Sequence, residues 1–219
     1  MPLSSVRKRY LILELCILFG AVPLLLLLFR SHLRLLLIPL LVLQGGLCTW
    51  ILWADRGFDR RALGWGNGVP RTFWRRVLVS LSVGVPVLVG LLLLFRSDLW
   101  LWFPRHKPHI WLLILIVYPT LSVYPQELIF RTFFFHRYHA LFPTRAHLIG
   151  VNALCFGLAH VMFGNWVAPV MTVLGGGLFA LTYARSHSTL LTFVEHSIWG
   201  LLLFTLGPGW FFYSGASLH

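Results

Sequence analysis

The feature that most constrains this chain is a succession of apolar runs close to the length of a bilayer crossing, at 11–29, 35–53, 77–95, 110–124, 147–163, 167–183 and 190–206. About 20 apolar residues span a hydrocarbon core as a helix, and lipid offers no partner for open backbone groups. The runs are therefore expected to be helices. A soluble domain carries about 25% charged residues, whereas this chain has 11%, with 58% hydrophobic residues and a mean hydropathy of +0.80. The expected fold is all-α: a single polytopic transmembrane domain over 1–219, a bundle of seven or eight helices in contact with membrane lipids.

Eighteen Lys and Arg against six Asp and Glu raise the question of nucleic acid, but the cations fall in short segments between apolar runs and form no soluble basic patch. No nucleic-acid partner is expected, and the charge reads as topology. Arg7, Lys8 and Arg9 precede the first run, 30–34 makes a tight connection, and 55–76 carries six arginines. Two spans separate the N-terminus from that loop, so the positive-inside rule puts both in the cytoplasm. Gly64, Gly66 and Gly68 in the loop lack the preceding strand of a nucleotide-binding fingerprint. Cys16, Cys48 and Cys155 show no metal-ligand spacing and read as packing residues. Gly175, Gly176 and Gly177 would let another helix approach closely. Glu14 is expected to snorkel to the interface or to pair with the basic cluster before it.

The stretch 122–138, SVYPQELIFRTFFFHRY, sets Gln126, Glu127 and Arg131 in an aromatic run. On a helix Glu127 and Arg131 share a face at i and i+4. Pro119 and Pro125 are expected to break the fourth span, with a new helix starting near Pro125 and ending before Pro143. Downstream, Asn152, Phe156 and His160 recur at i, i+4 and i+8, and Glu195 and His196 lie in the last run. Ionisable groups inside such helices cost about 2.5 to 3.5 kcal/mol when charged at mid-bilayer. Glu127, His160 and His196 are therefore expected to converge on a shared wet cavity. A carboxylate and two imidazoles can hold a divalent metal such as zinc, or can polarise water and steady an oxyanion without one.

QELIFR, then FGLAH, then an apolar helix with His196 resembles the CAAX protease and bacteriocin-processing family of intramembrane endopeptidases. The resemblance covers about 124–206, within a motif-bearing region of 122–206. It implies a CAAX-protease-like helical bundle with a glutamate-type centre: Glu127 matches the second motif Glu, Arg131 the motif Arg, His160 the base-assisting His and His196 the oxyanion-side His. It implies no cofactor, with zinc at Glu127, His160 and His196 as the alternative. The substrate would be a membrane-anchored protein or a C-terminal tail, including tails handled by myxosortase-like and other sorting-signal members, cleaved at a prokaryotic cytoplasmic membrane. Two positions depart from the pattern: Gln126 stands where the first Glu is usual, and Gly200 where an Asn is common. Gln126 is expected to hydrogen-bond the water or substrate, Glu127 to activate water with His160, and Asn152 to replace the missing Asn. Asn152, Phe156 and Gly200 are expected along the substrate. A non-catalytic binding or immunity protein and a proton-coupled transporter remain as alternatives, and the sequence does not fix the oligomeric state.

Overall fold

The computed structural model describes residues 4–33 and 35–213; Arg34 in the first connection lies outside the described residues. The described chain is helical throughout. Seven helices are long and apolar enough to cross a membrane: α1 Ser5–Leu28, α2 Leu37–Ala54, α3 Thr72–Arg96, α4 Pro108–Leu141, α5 Arg145–Phe163, α6 Val167–Ser186 and α7 Thr189–Leu206. Their ends are chemically marked. The Thr144 hydroxyl accepts from the His147 amide at 3.3 Å at the start of α5. The Ser188 hydroxyl accepts from the Leu191 amide at 3.1 Å at the start of α7, satisfying amides that a helix start leaves open.

The expected break at Pro119 and Pro125 does not occur. α4 runs through both prolines by widening: Pro119–Val123 and Leu128–Phe133 are π-turns between short α-helical pieces. A proline ring clashes with the carbonyl four residues back and donates no hydrogen bond, and an extra residue in the turn relieves both problems. The Glu127 segment is thus part of one long candidate span, and the described residues hold seven such spans.

α4 is the central element, with every residue from 125 to 135 buried. Gly45 of α2 meets it so closely that a Cβ there would lie 3.0 Å from Pro125 Cβ. On another side Phe19 of α1 packs edge-on to Phe130, Phe134 and Tyr138, with ring centroids 5.1 to 5.9 Å apart. Glu14 does not pair with Arg7, Lys8 or Arg9. Instead its carboxylate accepts from Arg137 Nε at 2.9 Å, from Arg137 Nη2 at 2.7 Å and from the Tyr138 hydroxyl at 2.8 Å. The physical reason is geometry, because Arg137 on the buried central helix presents two parallel guanidinium donors to the carboxylate.

The glycine-rich loop docks on the α6–α7 turn. Thr189 donates its hydroxyl to Ala62 O at 2.5 Å and Ser188 to Gly64 O at 2.9 Å. Gly66, at φ 56°, lies against the His187 carbonyl, where a side chain has no room. Beside this loop the His136 ring meets Asp55 at 2.8 Å, which holds the Asp55 carboxyl below the usual carboxylate range.

The Gly175–Gly177 triplet packs as expected. A Cβ on Gly176 would meet Phe156 Cδ1 at 3.0 Å and Ala153 Cα at 3.3 Å, so α6 and α5 touch there almost backbone to backbone. Gly176→Leu is expected to destabilise the protein by about 1 to 3 kcal/mol through overpacking. A lowered thermal midpoint in detergent would show it, whereas Gly150→Leu, at an open position, should leave the midpoint unchanged.

Candidate active site

Three helices build the site. α4 supplies Gln126, Glu127 and Arg131, its Pro108–Tyr118 part adds Tyr118, α5 supplies Asn152, Phe156 and His160, and α7 supplies His196 and Gly200. Glu127 has no exposed surface. One carboxylate oxygen, Oε1, accepts from His196 Nδ1 at 2.7 Å, and the other, Oε2, faces Arg131 Nε at 3.4 Å. The i, i+4 spacing read from the sequence thus forms a buried ion pair, and the fold adds an imidazole to it.

Arg131 is fully buried as well. Its guanidinium lies 4.8 Å from the Phe156 ring centre and donates through Nη1 to Asn152 Oδ1. Asn152 donates in turn to the Phe130 carbonyl at 2.5 Å. Asn152 was expected beside the substrate as a replacement for the missing Asn, but it has no exposed surface and both ends of its amide are engaged. Its partner is Arg131, because α5 packs this face against α4 and turns the amide toward the guanidinium. Phe156 sits between the groups, edge-on to His160 with ring centroids 4.7 Å apart and edge-on to His196 at 5.6 Å. His196 is further fixed by stacking on Phe179, with centroids 4.5 Å apart and planes 20° from parallel.

A cavity of about 1760 Å³ opens against this cluster. Its walls are apolar except for a few groups, chief among them Tyr118, Ser122, Gln126, His160 and His196. Glu127, Arg131 and Asn152 are not among its lining residues. The expected convergence of Glu127 with His160 and His196 on one wet space is therefore partial: the two histidines face the cavity, and Glu127 stands behind His196.

The hydrogen bonds define what each cavity-facing group can do. His160 Nδ1 lies 2.7 Å from the Phe156 carbonyl, which can only accept, so Nδ1 carries the proton and Nε2 the lone pair. Gln126 donates from Nε2 to the Ser122 hydroxyl at 2.9 Å, leaving Oε1 buried and without a partner. The Tyr118 hydroxyl is 3.5 Å from His196 Nε2. Tyr118 was not singled out from sequence; it sits 78 residues before His196 in an ordinary apolar run, and only its missing competitor signals it. A Cβ on Gly200 would collide with the Tyr118 ring and hydroxyl, so the small residue at that position makes room for the phenol. Gly200→Ala is expected to push Tyr118 away from His196 and lower cleavage about tenfold, as the loss of one aligned polar contact does. Because a side-chain end rather than backbone must move, the thermal midpoint should stay within a few degrees.

Residues 108–202 match a family model described as Type II CAAX prenyl endopeptidase Rce1-like. This part of the chain is similar to the Rce1-like family. The match begins at the first residue of α4 and ends within α7, so the Rce1-like segment contains every site residue named above and leaves α1, α2 and α3 as its packing partners. No curated protein and no solved structure matches the chain. The family is one of intramembrane proteases, and seven apolar helices agree with a multi-pass membrane protein.

The donor set does not suit the zinc alternative. Among the described residues no three His, Cys, Asp or Glu side chains gather in a way that could hold a metal ion, and Glu127, His160 and His196 are not so arranged. Both Glu127 oxygens already face partners, and one of these is a guanidinium that would repel a cation.

Proposed function

We propose that the protein is a metal-free intramembrane endopeptidase that cleaves a peptide bond near the membrane in the tail of a membrane-anchored protein. The observation that carries this reading is the lone pair of His160 Nε2 on the wall of an apolar cavity, facing the same space as Gln126 and His196. In this reading His160 takes a proton from water as the water attacks the scissile carbonyl. Gln126, which lines the same cavity, orients that water through its side-chain amide. A glutamine can orient water but cannot remove its proton. His196 and the Tyr118 hydroxyl donate to the oxyanion, and His160 returns its proton to the leaving amine.

Glu127, expected as the base, takes a different part here. With no exposed surface it cannot touch water in the cavity, so it orients His196 and balances the proton that His196 shares. Arg131 keeps Glu127 ionised and fixed.

The substrate is apolar along the part that enters, in keeping with the cavity walls. Twelve of the eighteen Lys and Arg residues lie on the face shared by the N-terminus and the 55–76 loop, which supports that face as cytoplasmic; the membrane in this reading is a prokaryotic cytoplasmic membrane. The test is cleavage of tail-bearing membrane proteins by the purified chain in liposomes, with and without a chelator. Cleavage that survives chelation supports the proposal. Cleavage abolished by the chelator refutes the metal-free mechanism, and a folded protein that cuts no tail refutes the endopeptidase.

A further inference from the structure

The cavity is set toward one end of the bundle, and contacts between helices far apart in the chain mark the two ends. At the first end the 55–76 loop meets the α6–α7 turn, where Ser188 donates to the Gly64 carbonyl at 2.9 Å. The last turns of α4 are there too, with His136 2.8 Å from Asp55 and Arg137 2.9 Å from Glu14 of α1. At the second end the Leu101 amide donates to the Leu206 carbonyl at 3.0 Å, Trp111 Nε1 to the Thr205 hydroxyl at 3.1 Å and Asn165 Nδ2 to the Phe211 carbonyl at 2.8 Å. The stretches of helix nearest the loop, 5–17, 48–54, 72–78, 131–141, 145–155, 180–186 and 189–195, supply none of the cavity wall. All seven helices line it from their other parts, and the wall continues to Arg96, Ile110, Trp166 and Tyr213 at the second end. Gln126, His160 and His196 thus have their open space on the side away from the loop.

We infer that the site is reached from the non-cytoplasmic face, so that its substrate is a protein tail already carried across the membrane. The inference rests on the proposed endopeptidase for the substrate and on the charge distribution for the name of the face. Twelve Lys and Arg residues lie at the loop end, against four described ones, Arg30, Arg96, Arg105 and Lys107, at the other. A tail on the loop side would have to pass the packed half of the bundle, where every residue from 125 to 135 of α4 is buried. A tail on the opposite side enters between apolar walls, which suit an apolar stretch next to a membrane anchor. Translocation of the tail therefore has to precede its cleavage.

The test adds single cysteines to the full chain and reads the label taken from a membrane-impermeant, negatively charged thiol reagent. The reference is the unaltered protein, whose Cys16, Cys48 and Cys155 lie within α1, α2 and α5. Met162→Cys is on the cavity wall and Asn67→Cys on the loop. In spheroplasts of a bacterium expressing the protein, Met162→Cys should gain label and Asn67→Cys none; in inverted membrane vesicles the pattern should reverse. Label gained at both positions from the same side, or at Met162→Cys only in the inverted vesicles, overturns the inference. If Met162→Cys fails to fold, Trp166→Cys, at an exposed part of the same wall, decides in its place. In the same cells an anchored substrate with its tail outside should be cut, and cutting of the same tail held in the cytoplasm overturns the inference. If the protein cuts neither tail in the membrane or in detergent, the endopeptidase reading fails separately and the labelling alone decides which face the site opens to.

Discussion

His160→Ala lowers the rate of tail cleavage by about 10²- to 10⁴-fold, the contribution of a well-placed general base, while the protein remains folded. The fold survives because His160 lies at the end of α5, is partly exposed to the cavity, and makes one hydrogen bond, to the Phe156 carbonyl of its own helix. Its ring does contact Phe156 and Phe212, with centroids 4.7 and 6.1 Å away, so a modest loss of packing accompanies the change. The measurement is a time course of cleavage beside a thermal melt in the same detergent. Retained cleavage would remove His160 from the mechanism and return the role of base to another group. Gln126→Glu sharpens the result: a carboxylate on the cavity wall supplies a second proton acceptor, so it should restore part of the activity lost in His160→Ala.

The second large effect falls on stability. Arg131→Met leaves the Glu127 carboxylate buried without its guanidinium, and removing one partner of such a pair costs about 3 to 5 kcal/mol. Three further contacts go with it: the bond to Asn152, and the approaches to the Phe156 and Phe179 rings at 4.8 and 5.9 Å. A strongly lowered unfolding midpoint is expected, together with loss of cleavage. Glu127→Gln added to Arg131→Met removes the second charge and should recover a substantial part of the stability but not the activity, since His196 then loses its carboxylate. If the single and double variants are equally unstable, the contribution of Arg131 is packing rather than charge.

The two effects separate by place. His160, Gln126 and Tyr118 line the cavity wall, and of these His160 makes a single side-chain hydrogen bond, to its own helix, so its change is expected to disturb folding least. The groups behind them, Glu127, Arg131 and Asn152, are fully buried and hydrogen-bonded or ion-paired to one another. In the proposed mechanism the cavity-facing groups are therefore held by residues that do not line the cavity.

Much of this was legible in the sequence because it depends on local spacing and on the cost of charge in lipid. The apolar runs required helices, the i, i+4 spacing of Glu127 and Arg131 required a shared face, and polar residues in apolar helices pointed to one site. The helix number was not legible, since proline chemistry forbids a regular α-turn but does not exclude the π-turn that α4 adopts at Pro119. Nor was the partner of Glu14, which lies 123 residues away at Arg137. The division of the motif residues into a cavity-facing set and a buried set was equally out of reach. It depends on which way α4 is rotated against α5 and α7, and that rotation is fixed by long-range packing, by Gly45 on Pro125, Gly176 on Phe156 and Tyr118 in the space left by Gly200. Sequence by itself determined that this chain is a helical membrane bundle with a polar centre built on Glu127, Arg131, His160 and His196. Only the tertiary structure decided that Glu127 points away from the cavity while His160 points into it, because the direction of a side chain depends on contacts between helices far apart in the chain.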